Sequence, residues 1–182
     1  MNAVPAPIAT SDPLLPILIA PHATLKLRCR AVGAGDSDAV RALVPRMFNA
    51  MYHAPGIGLA APQVGVALRV AVIDLAPNDT RTPHVLVNPE IVAASKEVAT
   101  REEGCLSLPQ MFADVTRPAR VKVRYFDLEG VKREIEGDGL LAACLQHELD
   151  HLDGVLFVDH ISALKRNMIM RKLAKEQKNK ER

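Results

Sequence analysis

His147 and His151 stand four residues apart in QHELDHLDG (residues 146–154), with Glu148 directly after the first. On an α-helix, positions i and i+4 share a face, so both imidazoles can address one metal ion, with the glutamate beside them. Two protein ligands do not complete such a site. One protease arrangement draws its third ligand from His-x-x-Gly-x-x-His. His151 and Gly154 fit that pattern, but Phe157 holds the last position. Another takes a glutamate from a later helix, and downstream of His151 only Glu176 and Glu181 remain, both in a basic tail. The third ligand should therefore lie upstream, where a cysteine thiolate suits a borderline-soft ion.

Three cysteines are present, an odd count in a chain long enough to do without disulfide staples. Cys29, flanked by Arg28 and Arg30, reads as surface or strand edge. Cys144 precedes His147 by three residues and falls near the ligand face. Three side chains from one straight helix converge poorly on a tetrahedral ion, so Cys144 reads as a structural cysteine packed beside the site. Cys105, in REEGCLSLP (residues 101–109), comes from a separate segment and follows Gly104, where the backbone can turn or approach closely. It is the leading candidate, set against the plainer role of a small buried hydrophobe.

The elements that must position these residues follow from pattern. A chain of 182 residues, 48% apolar, makes one domain with a real core, here taken as residues 1–182. Aromatics are 3% with no Trp, so the core is aliphatic. Residues 1–13 read as a loose, proline-containing arm. Residues 37–54 read as a helix with Val40, Val44, Met47 and Met51 on one face, capped by Asp36 or Ser37. Pro45 should kink it or delay its start to about Val44. Residues 68–75 and 83–95 carry buried strands, and residues 119–137 form a hairpin turning at DLEG. Residues 138–154 make the helix bearing the two histidines, with Asp138 as N-cap and Gly154 past its end. Residues 161–182 make a terminal helix with Ile161, Leu164, Met168 and Ile169 toward the body. This order implies an α+β fold with a largely antiparallel sheet.

Charge is unevenly placed. From Lys165 onward, eight basic residues face two acidic ones, a net +6, while the remainder carries 15 basic and 19 acidic residues, a net −4. A basic tail on a slightly acidic body points to an anionic partner. LLPILIA (residues 14–20) is too short to span a membrane, is broken by Pro16 and lacks a preceding basic residue. The expectation is a soluble, cytoplasmic protein.

Three motifs in order, GIGLAAPQ (residues 56–63), EGCLS (residues 103–107) and QHELDH (residues 146–151), resemble those of the peptide deformylase family, and the likeness runs from about Pro16 into the terminal helix. The first motif also satisfies the dinucleotide pattern G-x-G-x-x-G/A, with Asp74 downstream. That fingerprint needs a strand before it and a helix after it. Here a helix precedes and Pro62 follows, so no nucleotide cofactor is expected.

The resemblance implies mixed, largely antiparallel sheets wrapped around a central metal-binding helix, and removal of the formyl group from the initiator methionine of nascent polypeptides, releasing formate. Cys105, His147 and His151 would hold one ion, leaving a fourth position for water, whose pKa the metal lowers. Glu148 would act as general base and then acid. Gln63 and the Leu106 backbone N–H would stabilise the oxyanion. Gly56 and Gly58 would line the peptide's backbone. Ile57, Leu106, Leu140, Ala143 and the ring of His147 would receive the methionine. Glu103 and Arg117 would pair to fix the cysteine loop, and Asp150 or Gln146 would hold ligand geometry. The family's usual ion is Fe2+, with Ni2+, Co2+ or Zn2+ accepted. By affinity and ligand type alone, zinc would be the guess. The basic terminal helix resembles those that dock near the ribosomal exit tunnel. Gln110 and Phe112 stand where many bacterial members have other residues. Competing readings are a zinc endopeptidase, which lacks its third ligand here, and a degenerate ribosome-binding homologue, which would usually have lost a ligand or the base.

Overall fold

A computed structural model describes residues 13–180 of the chain. Residues 1–12 of the expected N-terminal arm, and Glu181 and Arg182 of the expected terminal helix, lie outside that range.

Helix α1 (Ser37–His53) buries Val40, Val44, Met47 and Met51, the stripe read from the sequence, against β1 (Gly58–Ala60) and β2 (Val70–Ile73). Pro45 lies inside α1 and does not end it. An internal proline costs about 3 kcal/mol. Val40 and Val44 before it and Met47, Phe48 and Met51 after it are all buried, each contributing roughly 1.5–3 kcal/mol, so packing on both sides outweighs the break. Asp36 precedes the helix but does not cap it. Its carboxylate instead accepts bonds from Arg30, at 2.7 and 2.8 Å, and from the Gly33 N–H.

β3 (His84–Ala94) follows, then a long hairpin of β4 (Val98–Cys105) and β5 (Leu108–Pro118), which the pattern reading did not mark as strands. β6 (Arg120–Phe126) and β7 (Lys132–Asp138) form the expected hairpin, with Asp127 Oδ1 accepting the N–H groups of Glu129 and Val131 at the turn. The strands make a five-stranded sheet in the order β1-β2-β3-β6-β7 and a separate two-stranded sheet, β4-β5, every pairing antiparallel.

Helix α2 (Gly139–Leu152) lays Ala142, Leu145 and Leu149 on Ile73, Leu86, Val121 and Val123 of the larger sheet. Asp138 stands at its N-cap position without a side-chain bond, and Gly154 follows its end at φ 75°. Helix α3 (Ala163–Lys180) packs on β5 and on the turn Phe157–His160. Its inward residues are Ile169, Met170 and Leu173. Leu164 and Met168, expected inward, are 72% and 62% exposed, because the stripe centred on Leu173 lies on another face. Cys29 is buried rather than at the surface, its N–H bonded to the Leu152 carbonyl beside a parallel bridge, Arg30–Leu68. No helix among the described residues is long and apolar enough to cross a membrane.

Candidate metal centre and active site

Two imidazoles and one cysteine sulfur converge where α2 meets the end of β4. The ligand atoms of Cys105, His147 and His151 all lie within 4.8 Å of one another. His151 Nε2 is 3.3 Å from Cys105 Sγ and 3.3 Å from His147 Nε2. A tetrahedral ion with ordinary Zn–N and Zn–S bond lengths sets its ligand atoms about 3.3–3.6 Å apart. The donor set therefore fits a first-row divalent cation, and these three residues would hold it. Cys144, on the same helix, is not in the cluster. Its buried thiol lies 3.8 Å from the Ile57 carbonyl, and burial raises its pKa well above the usual range.

His147 has its tautomer set from outside. Its Nδ1 is 3.0 Å from Glu103 Oε2, so the N–H faces the carboxylate and Nε2 faces the cluster. Burial works to lower the His147 pKa, but Cys105 and Glu103 outweigh it and hold the group well above the imidazole range, so an ion binding there would displace the Nε2 proton. Burial pushes His151 well below it. Glu103 also accepts Arg117 Nε at 2.6 Å and Nη2 at 3.0 Å. Burial alone would raise the Glu103 pKa; the bonds from His147 and Arg117 win and bring it down to about 2. Arg117 is the buried cation of this pair and reaches on to Asp150 Oδ2 at 2.8 Å.

Glu148 points into the same space from α2. It is 3% exposed, and its Oε2 has no hydrogen-bond partner among the described residues. Burial pushes its pKa up to about 7. Gly58 makes this placement possible: a Cβ there would collide with Glu148 Oε1 and come within 2.8 Å of Cδ. Gln63, in the 3-10 turn Ala61–Val64, is fixed by two bonds. Its Oε1 accepts the Ala60 N–H at 2.9 Å, which leaves Nε2 to donate to Ser107 Oγ at 3.1 Å, 3.6 Å from Cys105 Sγ. Leu106 and Ser107 form the turn from β4 into β5.

These groups open onto a cavity of about 970 Å3 lined by Gly56, Ile57, Gly58, Leu106, Leu140 and Ala143. Phe112 lines it too, and Ile57, Phe112 and Leu140 stay 39%, 60% and 51% exposed, an apolar surface of the kind that receives ligands.

A model of the family described as polypeptide deformylase matches residues 14–167. The chain belongs to that family. It is similar to the peptide deformylase of Methylocella silvestris, with 53% identity over 170 residues, 91% of this chain and 86% of the relative. Among solved structures, a peptide deformylase from Legionella pneumophila superimposes with a TM-score of 0.87 at 45% identity, covering 93% of this chain and 99% of that one. Another, from Ehrlichia chaffeensis in complex with actinonin, gives 0.85 at 38% identity over 90% and 97%. The chain is therefore a peptide deformylase-family hydrolase and a metalloenzyme with the family's fold.

Of the site residues read from the sequence, Gly56, Ile57, Gly58, Gln63, Cys105, Leu106, Leu140, Ala143, His147 and Glu148 line this cavity, His151 completes the ligand cluster, and Glu103, Arg117 and Asp150 form the ion-pair cluster behind it. Gln146 takes a local role, donating to the Ala142 and Pro118 carbonyls. Three neighbours went unmarked. Ser107 holds Gln63. Phe157 stacks on the His147 ring, with centroids 6.4 Å apart. His160 reaches Asp150. Only Ser107, inside EGCLS, carried a local signal.

Proposed function

We propose that this cavity hydrolyses formyl-methionyl amino termini, with Cys105, His147 and His151 holding one divalent ion and Glu148 moving the proton. The observation that carries this reading is the meeting of three ligand atoms with a buried, unpartnered carboxylate at one end of an apolar groove. The bound ion supplies an acidified water and polarises a carbonyl. Glu148 takes the proton from the attacking water and passes it to the leaving amine, giving formate and a free amino terminus. The Gln63 amide, aimed by its bond from Ala60, and the Leu106 backbone N–H stabilise the negative charge on the formyl oxygen.

The groove runs between the free edges of β1 and β4, where an extended peptide can add as a strand along Gly56–Ile57–Gly58. Ile57, Leu106, Leu140, Ala143 and the His147 ring receive the methionine side chain. The physiological ion in this reading is Fe2+, and activity is lost in air and kept under anaerobic conditions. All residues act within one domain, working in the cytoplasm where formylated chains emerge. The exposed basic residues of α3 favour docking on ribosomal phosphates.

The test is formate release from a short formyl-methionyl peptide, using protein purified without oxygen with ferrous iron. Release that disappears in Glu148→Ala supports the reading. No release from folded, metal-loaded protein refutes it and favours a binding module.

A further inference from the structure

Behind the three ligand atoms, a chain of charged side chains leads outward to the surface. His147 Nδ1 meets Glu103, Glu103 takes two bonds from Arg117, and Arg117 Nη1 donates to Asp150 Oδ2 at 2.8 Å. The same Oδ2 is 2.7 Å from His160 Nε2. At that separation the imidazole N–H donates to the carboxylate. Side-chain exposure falls inward along the chain, from 34% at His160 and 25% at Asp150 to 7% at Arg117 and Glu103. The five residues come from β4, β5, α2 and the turn Phe157–His160.

We infer that Asp150 and His160 are positioning residues for the metal ligand His147, acting through Arg117 and Glu103; the inference rests on the metal-centre reading above. Asp150 sits next to His151 in the sequence, yet its carboxylate is not among the converging ligand atoms. It faces Arg117 instead. A guanidinium is a rigid planar fork, so pinning Nη1 at Asp150 fixes the direction in which Nε and Nη2 present themselves to Glu103. Glu103 held by Arg117 alone at its back could pivot with that side chain. With Arg117 fixed at both ends it cannot, and the imidazole that donates to Glu103 keeps its orientation. His160 meets the same Asp150 Oδ2 and holds that carboxylate against the guanidinium. Partners one bond removed from a ligand typically change metal affinity by about 10–100-fold when lost.

The competing explanation is that Asp150 and His160 only fasten the turn before α3 to the body. The two differ in what the metal senses. The full chain is titrated with Co2+ against a competing chelator, the visible spectrum of bound Co2+ is recorded, and thermal unfolding is followed without metal. The variants are Asp150→Asn, His160→Leu and His160→Gln, whose amide N–H can still reach Asp150. The expected result is that Asp150→Asn, acting through two intervening side chains, weakens Co2+ binding by up to about 10-fold, the low end of the range for a ligand's direct partner, and shifts the spectrum. His160→Leu shows a smaller loss of affinity, and His160→Gln restores it. Co2+ affinity and spectrum unchanged in Asp150→Asn and His160→Leu overturn the inference, as does a His160→Gln variant as weak as His160→Leu. A wild-type chain that binds no Co2+ overturns the metal-centre reading and this inference with it.

Discussion

Replacing Glu103 by glutamine keeps the side chain's shape and removes its charge. Arg117, 7% exposed, then loses its strongest partner, the carboxylate at 2.6 and 3.0 Å, and keeps Asp150 as its carboxylate partner among the described residues. Breaking a buried ion pair from one side costs about 3–5 kcal/mol. The Glu103 carboxyl gives a second route to the magnitude. Its pKa falls from an ordinary 4.5 to about 2 on folding. A shift of that size corresponds to about 3 kcal/mol. The folded-state value is the lower one, so this stability is fully present above about pH 4.5 and is lost as pH falls through about 2. Urea unfolding of wild type and Glu103→Gln at stepped pH, both freed of metal, should show a gap of about 3 kcal/mol at pH 7 that closes toward pH 2. Glu103→Gln should also weaken metal binding about 10–100-fold by freeing the His147 ring. A gap below about 1 kcal/mol at pH 7, the size of a surface pair, refutes the reasoning, as does a gap that does not change with pH.

Other perturbations follow from the same geometry. Gly58→Ala forces Glu148 aside, because the new Cβ occupies the place of its carboxylate. Deformylation should fall about 100-fold or more while metal content stays that of wild type, as measured by metal analysis alongside formate release. Glu148 must be ionised to act as a base, and burial sets its pKa at about 7. Activity should therefore rise with pH along a limb at or below about 7, since a neighbouring cation favours the carboxylate. Glu148→Gln should remove about 100- to 10,000-fold of activity together with that limb, and a pH–rate profile flat from about 5 to 8 in wild type would contradict the assignment. For the basic helix, a cut before Leu173 is the wrong instrument, because Leu173 is 1% exposed and belongs to a core cluster. Reversing the exposed Arg171, Lys172, Lys175 and Lys178 to Glu should weaken salt-dependent ribosome binding in a sedimentation assay and leave hydrolysis of short peptides unchanged.

What could be read from the sequence divides along physical lines. Periodic apolar faces, such as Val121, Val123 and Tyr125 or Val40, Val44 and Met47, come from burial against one surface and are visible in one dimension. The ligand pair His147 and His151 was visible for the same reason, since helical spacing is local. The hairpin β4–β5 was not. Its strands carry Arg101, Glu102, Glu103 and Gly104 where a buried strand would alternate, because one edge of the hairpin lines the groove and its inner face carries an ion-pair cluster. Functional residues overwrote the pattern that marks a strand. The inward side of the terminal helix was only half placed, with Ile161 and Ile169 packed as expected and Leu164 and Met168 exposed, because a helix with apolar residues on several sides does not say which one meets the body. The links from Arg117 to Asp150 and from Asp150 to His160 span 33 and 10 residues, and no local spacing rule reaches the first.

The ligands of the metal centre come from two separately cored parts. His147 and His151 ride on α2, whose apolar face packs with the five-stranded sheet. Cys105 belongs to the β4–β5 hairpin, which packs with Leu156, Phe157, Val158 and Leu173 from the C-terminal segment. An ion bound between them would have to pull the two parts together unless something else already did. Connections that need no metal cross that seam: Arg117 to Asp150, His147 to Glu103, Gln146 to the Pro118 carbonyl, and Gln63 to Ser107. They hold the elements that carry the ligands, whose atoms stand 3.3 Å apart, close to the spacing a tetrahedral cation requires. Binding energy is then not consumed in ordering the hairpin, in contrast to small zinc domains that fold only on binding metal. The expected consequence is a metal-stripped protein that unfolds cooperatively and regains activity on reloading without a slow folding phase. Loss of near-ultraviolet circular dichroism on chelation, recovering only slowly when metal returns, would show instead that the ion itself assembles the seam.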